Sequence, residues 1–126
     1  MNKTFYPKTK QNSTMKDLQT VHVGGRMNLP LHDIVMLKAV INYTIIYLQD
    51  GSSILSSTNL SKIGNRLKDL HFFQPNRSNI INLNFMKGFE NETSQIEMQN
   101  DEAISLSRRK TLSFSKIIEN YSIQNK

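Results

Sequence analysis

Two hydrophobic periodicities divide the chain, and the first of them predicts β-strands. Residues 36–40 and 44–48 are rich in apolar and β-branched side chains, which favour pleated, half-buried strands. Asp50-Gly51 then marks a tight hairpin leading into a returning strand at residues 53–56. Further short strands are predicted at residues 21–23, 26–29, 95–99 and 103–107.

The second periodicity predicts an amphipathic helix after residue 56. Apolar residues recur three, seven and ten positions after the first one, on one helical face: Leu60, Ile63, Leu67 and Leu70. A hydroxyl of Ser57 or Thr58 is expected to cap the helix, and Pro75 blocks any continuation. Gly64 weakens the helix interior by about 1 kcal/mol relative to alanine. A terminal helix is indicated by Leu112, Ile117, Ile118 and Tyr121.

These elements predict a mainly β fold with one or two short α-helices. Since strands and helices do not alternate, a parallel doubly wound sheet is not expected. The predicted organisation is a flexible basic arm at residues 1–20, one domain at residues 21–122 and a short tail at residues 123–126.

Composition narrows the function classes. The 126 residues contain no cysteine, which excludes disulfides and thiol chemistry, and no apolar run approaches the roughly 20 residues that span a membrane. The start of the chain lacks the apolar core of a signal peptide, so a cytoplasmic protein without membrane insertion is expected. His22, His32 and His71 are scattered, and the glycines form no phosphate-binding pattern. We therefore expect no enzyme, metal, cofactor or small-molecule substrate.

The net charge of +6 is unevenly distributed. Residues 1–20 carry half of it, because Asp17 is their only acidic residue beside Lys3, Lys8, Lys10 and Lys16. This polar segment is predicted to be disordered and could add sequence-independent affinity for a polyanion. Acidic residues concentrate instead in residues 90–102, which we expect to face away from such a partner.

Three polar groups interrupt the predicted strands and helices. They are Asn42-Tyr43, Asn76-Arg77-Ser78-Asn79 and Ser107-Arg108-Arg109-Lys110. Arginine matches phosphate or the acceptor edge of guanine, asparagine can pair with adenine, and serine commonly contacts phosphate. Plainer interpretations are equally open, since asparagine also forms turns, tyrosine packs, and a basic run can simply be solvated.

The order of these groups resembles the LytTR family of bacterial DNA-binding domains, over about residues 26–121. The resemblance rests on DIVMLKAVINYTIIYLQDG, on NLSKIGNRLKDLHFFQPNRSNIINLNFM and on AISLSRRKTL. It implies an elongated fold of small antiparallel sheets and a bacterial transcription regulator whose loops enter successive major grooves of double-stranded DNA. Two positions depart from the family pattern: Asn76 replaces a usual histidine, and Gln74-Pro75 replaces a commoner arginine-containing pair.

The resemblance assigns roles to residues of the three groups. Tyr43, Arg77 and Arg109 become the candidates for contacting bases. Backbone contacts or loop support are implied for Asn42, Asn76, Ser78, Asn79, Ser107, Arg108 and Lys110. Many relatives carry a receiver domain before this one, and residues 1–20 are too few to form one, so a standalone domain is expected.

Three partner hypotheses follow. The first is sequence-specific double-stranded DNA, with a second copy of the chain on paired DNA repeats. The second is a protein-interaction module of the same fold that binds a sensor, an inhibitor or itself. RNA binding ranks last, because few aromatic residues fall outside apolar strand or helix positions.

Overall fold

A computed structural model describes residues 19–67 and 71–124, with side chains as far as residue 120. Within these ranges the helices are α1, Leu60–Arg66, and α2, Thr111–Gln124. The strands are β1 Thr20–Gly24, β2 Met27–Pro30, β3 Ile34–Val40, β4 Tyr43–Leu48, β5 Ser53–Ser56, β6 Phe72–Asn76, β7 Asn79–Asn82, β8 Met86–Glu90, β9 Gln95–Met98 and β10 Ala103–Ser105.

The strands form three antiparallel sheets, which confirms the predicted mainly β class. The largest sheet has the order β5-β4-β3-β7-β6, and the other two are β10-β9-β8 and the β1–β2 hairpin. Each strand that the periodicity predicted is present. Most of the predicted arm lies outside the described residues, although β1 already begins at Thr20. At the other end, α2 runs through Gln124 and so includes the first half of the predicted tail.

The centre of the five-stranded sheet is buried on both faces, and the residues of β3 and β7 there are apolar on both sides. In β3, Leu37 packs into one hydrophobic cluster and Met36 into the other. Their partners across the β3–β7 pair, Ile80 and Ile81, divide in the same way. Successive strand residues point to opposite faces, so an uninterrupted apolar run is what a strand between two layers requires.

The first cluster lies under α1 and the β1–β2 hairpin. Leu60, Ile63 and Leu67 are buried there, as the helical spacing predicted, whereas Leu70 lies outside the described residues. The predicted cap was wrong. Asn59 caps the helix by accepting a hydrogen bond from the Lys62 N–H at 2.9 Å.

The reason for the different cap lies in the segment before α1. The hydroxyl of Ser56 accepts from the Thr58 N–H at 3.0 Å, and the carbonyl of Thr58 accepts from the buried Thr44 hydroxyl at 2.8 Å. These bonds hold Thr58 in place and leave Asn59, with extended backbone angles, as the residue that enters the helix.

Gly64 has a packing role that its low helix propensity does not show. A Cβ atom at this position would lie only 3.0 Å from Cδ1 of Ile80. The glycine therefore allows α1 to approach β7 closely. α1 ends at Arg66, and Pro75 lies in edge strand β6 beside a register irregularity, a position that tolerates the missing N–H.

The second cluster joins the opposite face of the five-stranded sheet to the three-stranded sheet and α2. Phe114 of α2 is its aromatic centre, with ring centroids 5.6 Å from Phe73 and 5.1 Å from Phe89. Ile117 and Ile118 pack beside it. The terminal helix is confirmed, but Leu112 is 69% exposed, so Phe114 anchors the helix in place of that leucine.

Candidate nucleic-acid interface

Strand pairing brings the first two polar groups to the same edge of the five-stranded sheet. Lys38 in β3 pairs with Asn79 in β7, and the Ala39 N–H donates to the Ser78 carbonyl at 2.8 Å. The β6–β7 turn therefore lies beside the last residues of β3, immediately before the β3–β4 turn that contains Asn42. This proximity comes from register, since the two groups are more than 30 positions apart.

Two further hydrogen bonds attach the third polar group to the second. The Ser107 N–H donates to the Pro75 carbonyl at 3.0 Å, and Nδ2 of Asn76 donates to the Ser105 carbonyl at 2.7 Å. As a result, the chain leaving β10 toward Arg108 passes alongside the β6–β7 turn. All three groups thus lie on one edge of the protein, which we call the loop edge.

The β6–β7 turn is built to project Arg77. Oδ1 of Asn76 accepts from the Ser78 N–H at 2.8 Å, which closes an asparagine turn around Arg77. Arg77 and Ser78 are exposed. Both polar atoms of the Asn76 side chain are therefore engaged in hydrogen bonds within the protein.

Asn79 lies in β7 and is buried, unlike its neighbours in the turn. It is 8% exposed, and its Nδ2 has no hydrogen-bond partner among the atoms that the structure describes. A buried amide donor without a partner is costly in a folded protein. Asn79 pairs with Lys38 and lies directly after the β6–β7 turn, on its buried side.

Tyr43 and Lys38 share one face of the sheet. Tyr43 begins β4 opposite Val40 and is 48% exposed. The alternation of β3 then puts Val40 and Lys38 on the face that carries Met36 farther along the strand. Lys38 was not among the predicted candidates, although a lysine within the apolar segment IVMLKAV, two residues before the strand ends, was an available signal.

The third group forms a single 3-10 turn, Arg108–Lys110, immediately before α2. The Ser107 carbonyl accepts from the Lys110 N–H at 3.0 Å and from the Thr111 hydroxyl at 3.3 Å. Arg108 and Arg109 are exposed. Ser107 is half-buried; its carbonyl closes this turn and its N–H attaches the turn to the Pro75 carbonyl of β6.

The arginines of the loop edge are available to an external ligand. Within the described chain, no hydrogen bond or ion pair engages the side chain of Arg77, Arg108 or Arg109, and the three polar groups contain no acidic residue. No group of three histidine, aspartate or glutamate side chains in the same described ranges could hold a metal ion. The chemistry on offer is therefore hydrogen bonding from cationic and neutral donors, which suits phosphates and base edges.

Except for Glu97 within β9, the acidic residues of 90–102 divide between the two ends of the three-stranded sheet, which differs in part from the expectation. Asp101 and Glu102 lie in and after the β9–β10 turn. Glu90 pairs with Gln95, which pairs with Ser105, the residue that Asn76 contacts. The β8–β9 turn with Glu90 and Glu92 therefore borders the loop edge, about two strand spacings or 10 Å from Ser105.

Comparisons with known proteins agree with this architecture. The family described as LytTr DNA-binding domain matches residues 24–119. The chain belongs to the LytTR family. A solved structure of the LytTr DNA-binding domain from a protein described as a methyl-accepting/DNA response regulator of Bacillus cereus matches with a TM-score of 0.64 at 22% identity, covering 81% of this chain and 96% of that one. A comparison with curated proteins gave no match.

Membership of this family makes the chain a DNA-binding domain of the kind that regulates transcription in bacteria. The family is not a catalytic one. In the part of the chain that the structure describes, no helix is long and apolar enough to cross a membrane.

Proposed function

We propose that this LytTR domain is a sequence-specific transcription regulator that reads bases in the major groove of double-stranded DNA through the loop edge. Tyr43, Arg77 and Arg109 would contact bases. Ser78, Arg108, Lys110 and Asn42 would contact the DNA backbone, and Asn76, Asn79 and Ser107 would support the loops.

The observation that supports this proposal best is the set of three hydrogen bonds that join the polar groups. Ala39 to Ser78, Asn76 to Ser105 and Ser107 to Pro75 fix the relative positions of three separate loops. Base readout requires several side chains to be held in register with one another, whereas non-specific phosphate binding needs only positive charge. Fixed loops with projecting arginines favour readout.

Selection of bound sites from a random double-stranded DNA pool tests the proposal. We expect enrichment of a defined site, and we expect affinity to fall steeply with salt because bound cations release counterions from DNA. If no DNA is retained even at low salt, the loop edge does not bind DNA.

Arg109→Ala separates a base contact from a phosphate contact. Losing a good base contact costs about 1–3 kcal/mol, roughly a 5- to 150-fold loss of affinity for the selected site. Binding to random DNA should fall far less. Lys87→Ala is the control, because Lys87 is exposed, is the second residue of β8 and pairs with Asp101 at the other end of the three-stranded sheet. Equal losses on both DNAs for Arg109→Ala would make it a phosphate contact.

A protein-binding role is the second candidate, and one surface favours it. The β1–β2 hairpin and edge strand β5 border an open cavity of about 200 Å³ lined in part by Met27 and Leu55, which are 41% and 64% exposed. Such a surface suits a regulatory protein or a second copy bound on paired DNA repeats. Sedimentation with and without a DNA carrying two selected sites would show whether a second copy of the chain binds. Leu55→Glu should abolish binding of the second copy without changing binding to a single site.

A further inference from the structure

The β3–β4 hairpin contains an apolar residue in a conformation that its side chain disfavours. Val40 pairs with Tyr43, so the loop has two central residues, Ile41 and Asn42. Ile41 has a φ of 57°, and Asn42 does not have positive φ. This sign pattern belongs to a type II′ turn, whose first central position is normally glycine. A β-branched residue with positive φ is a backbone outlier.

The same residue is almost fully exposed. Ile41 is 91% exposed, more than any other large apolar side chain that the structure describes, and it is flanked by Val40 and Tyr43 at 37% and 48%. The hairpin tip therefore presents a small apolar surface next to a candidate base-contacting residue. Packing within the described protein does not explain the isoleucine, and the turn chemistry opposes it.

We propose that Ile41 is a specificity-determining residue that enters the DNA groove at the hairpin tip and contacts the C5-methyl group of a thymine. This inference rests on the proposed function. The groove edge of thymine is the one base edge that carries a methyl group, and apolar side chains contact it. Strained backbone that the fold maintains without a structural reason is concentrated at functional sites, which fits this position.

The position of the hairpin in the loop edge favours DNA over a protein as the occupant. The Ala39 N–H bonds the turn that projects Arg77, so Ile41 emerges beside two candidate base contacts. Lys38 lies on the face of Tyr43 and adds a cation at the base of the hairpin. An apolar tip surrounded by cations and amide groups suits a methyl group presented between phosphates.

The test uses the full chain and the DNA site that selection yields. Each thymine of that site is replaced in turn by deoxyuridine, which removes only the methyl group. For the unmodified protein, affinity should fall about four-fold at one or two positions, the effect of burying one methyl group. For Ile41→Gly, the same replacements should have no effect at those positions.

Two control variants separate the side chain from the backbone. Ile41→Asn introduces a residue that tolerates positive φ, and its DNA affinity should no longer depend on the thymine methyl group. Ile41→Val keeps an apolar side chain, and its affinity should still depend on that methyl group. Ser94→Gly removes a residue with a φ of 52° in the exposed β8–β9 turn and should leave the methyl dependence intact. The melting temperature of Ile41→Gly should not fall, because glycine suits the turn.

The outcomes are distinct. If the protein selects a site but Ile41→Gly and Ile41→Asn depend on the same thymine methyl groups as the unmodified protein, the inference is wrong and the proposed function stands. A chain that retains no DNA overturns both. Loss of self-association in Ile41→Gly without DNA, measured by sedimentation, would assign the hairpin tip to a protein contact and also overturn the inference.

Discussion

Asn76 provides the sharpest test of how the loop edge is assembled. Its side chain donates to the Ser105 carbonyl at 2.7 Å and accepts from the Ser78 N–H at 2.8 Å. Asn76→Ala removes both hydrogen bonds. At about 0.5–1.5 kcal/mol each, the free energy of unfolding should fall by about 1–3 kcal/mol. Each kcal/mol corresponds to a fall of about 4–8 °C in melting temperature for a domain of this size.

The effect on DNA binding should pass through Arg77, because the asparagine turn encloses that residue. We expect Asn76→Ala to weaken binding to the selected site by no more than Arg77→Ala does, about 1–3 kcal/mol. When Arg77 is already alanine, adding Asn76→Ala should weaken the free energy of DNA binding by less than about 0.5 kcal/mol. Independent effects add to within that margin. Affinities of the wild type, both single variants and the double variant complete the cycle.

Two results would refute this reasoning. Additive losses in the cycle would show that Asn76 contacts DNA itself. An unchanged melting temperature would show that neither hydrogen bond contributes to stability. Asn91→Ala is the matched control, since Asn91 is an exposed turn asparagine with no hydrogen bond to the rest of the described chain. It should change neither melting temperature nor affinity.

Three other predictions concern the arm, α1 and the β4–β5 turn. Deleting residues 1–18 should flatten the salt dependence of DNA binding without changing the selected site. The deletion spares Gln19, because its carbonyl accepts from the Leu31 N–H at 3.0 Å. An unchanged slope would show that the arm does not contact DNA. Gly64→Ala should lower the melting temperature, because crowding against Ile80 costs about 1–3 kcal/mol and outweighs the gain in helix propensity of about 1 kcal/mol. A higher melting temperature would mean that the Ile80 side chain moves aside at little cost. The Ser52 hydroxyl and N–H donate hydrogen bonds to the Asp50 carboxylate and lower its pKa, so Asp50→Ala should reduce the melting temperature at neutral pH. The difference from the wild type should shrink as the pH falls below about 4 and through the lowered pKa. A difference that stays constant with pH would show that the charged carboxylate does not contribute to stability.

Periodicity predicted the strands and the buried face of α1 because both depend on local side-chain spacing. Leu60, Ile63 and Leu67 are buried as that spacing requires. The cap at Asn59 and the exposure of Leu112 escaped prediction for a different reason. Each depends on contacts with distant segments, namely the Thr44 bond to Thr58 and the packing of Phe114 between Phe73 and Phe89.

The composition of the loop edge was readable from the sequence, but its geometry was not. Spacing alone could not show that Asn76 reaches Ser105, 29 positions away, or that Asn79 is buried while Ser78 is exposed. The structure shows the side chain of Asn76 in two internal hydrogen bonds, and it shows Lys38 exposed on the face that carries Tyr43.

The nature of the bonds within the loop edge decides what a salt titration measures. The three bonds that join the loops use backbone groups and a neutral amide. The ion pairs of the described chain, His32–Asp33 and Lys87–Asp101, lie in other segments. Since salt screens charged pairs and scarcely affects neutral hydrogen bonds, added salt should remove DNA contacts while leaving the loops assembled. The logarithm of affinity should therefore fall linearly with the logarithm of salt concentration, and preference for the selected site should persist as affinity declines.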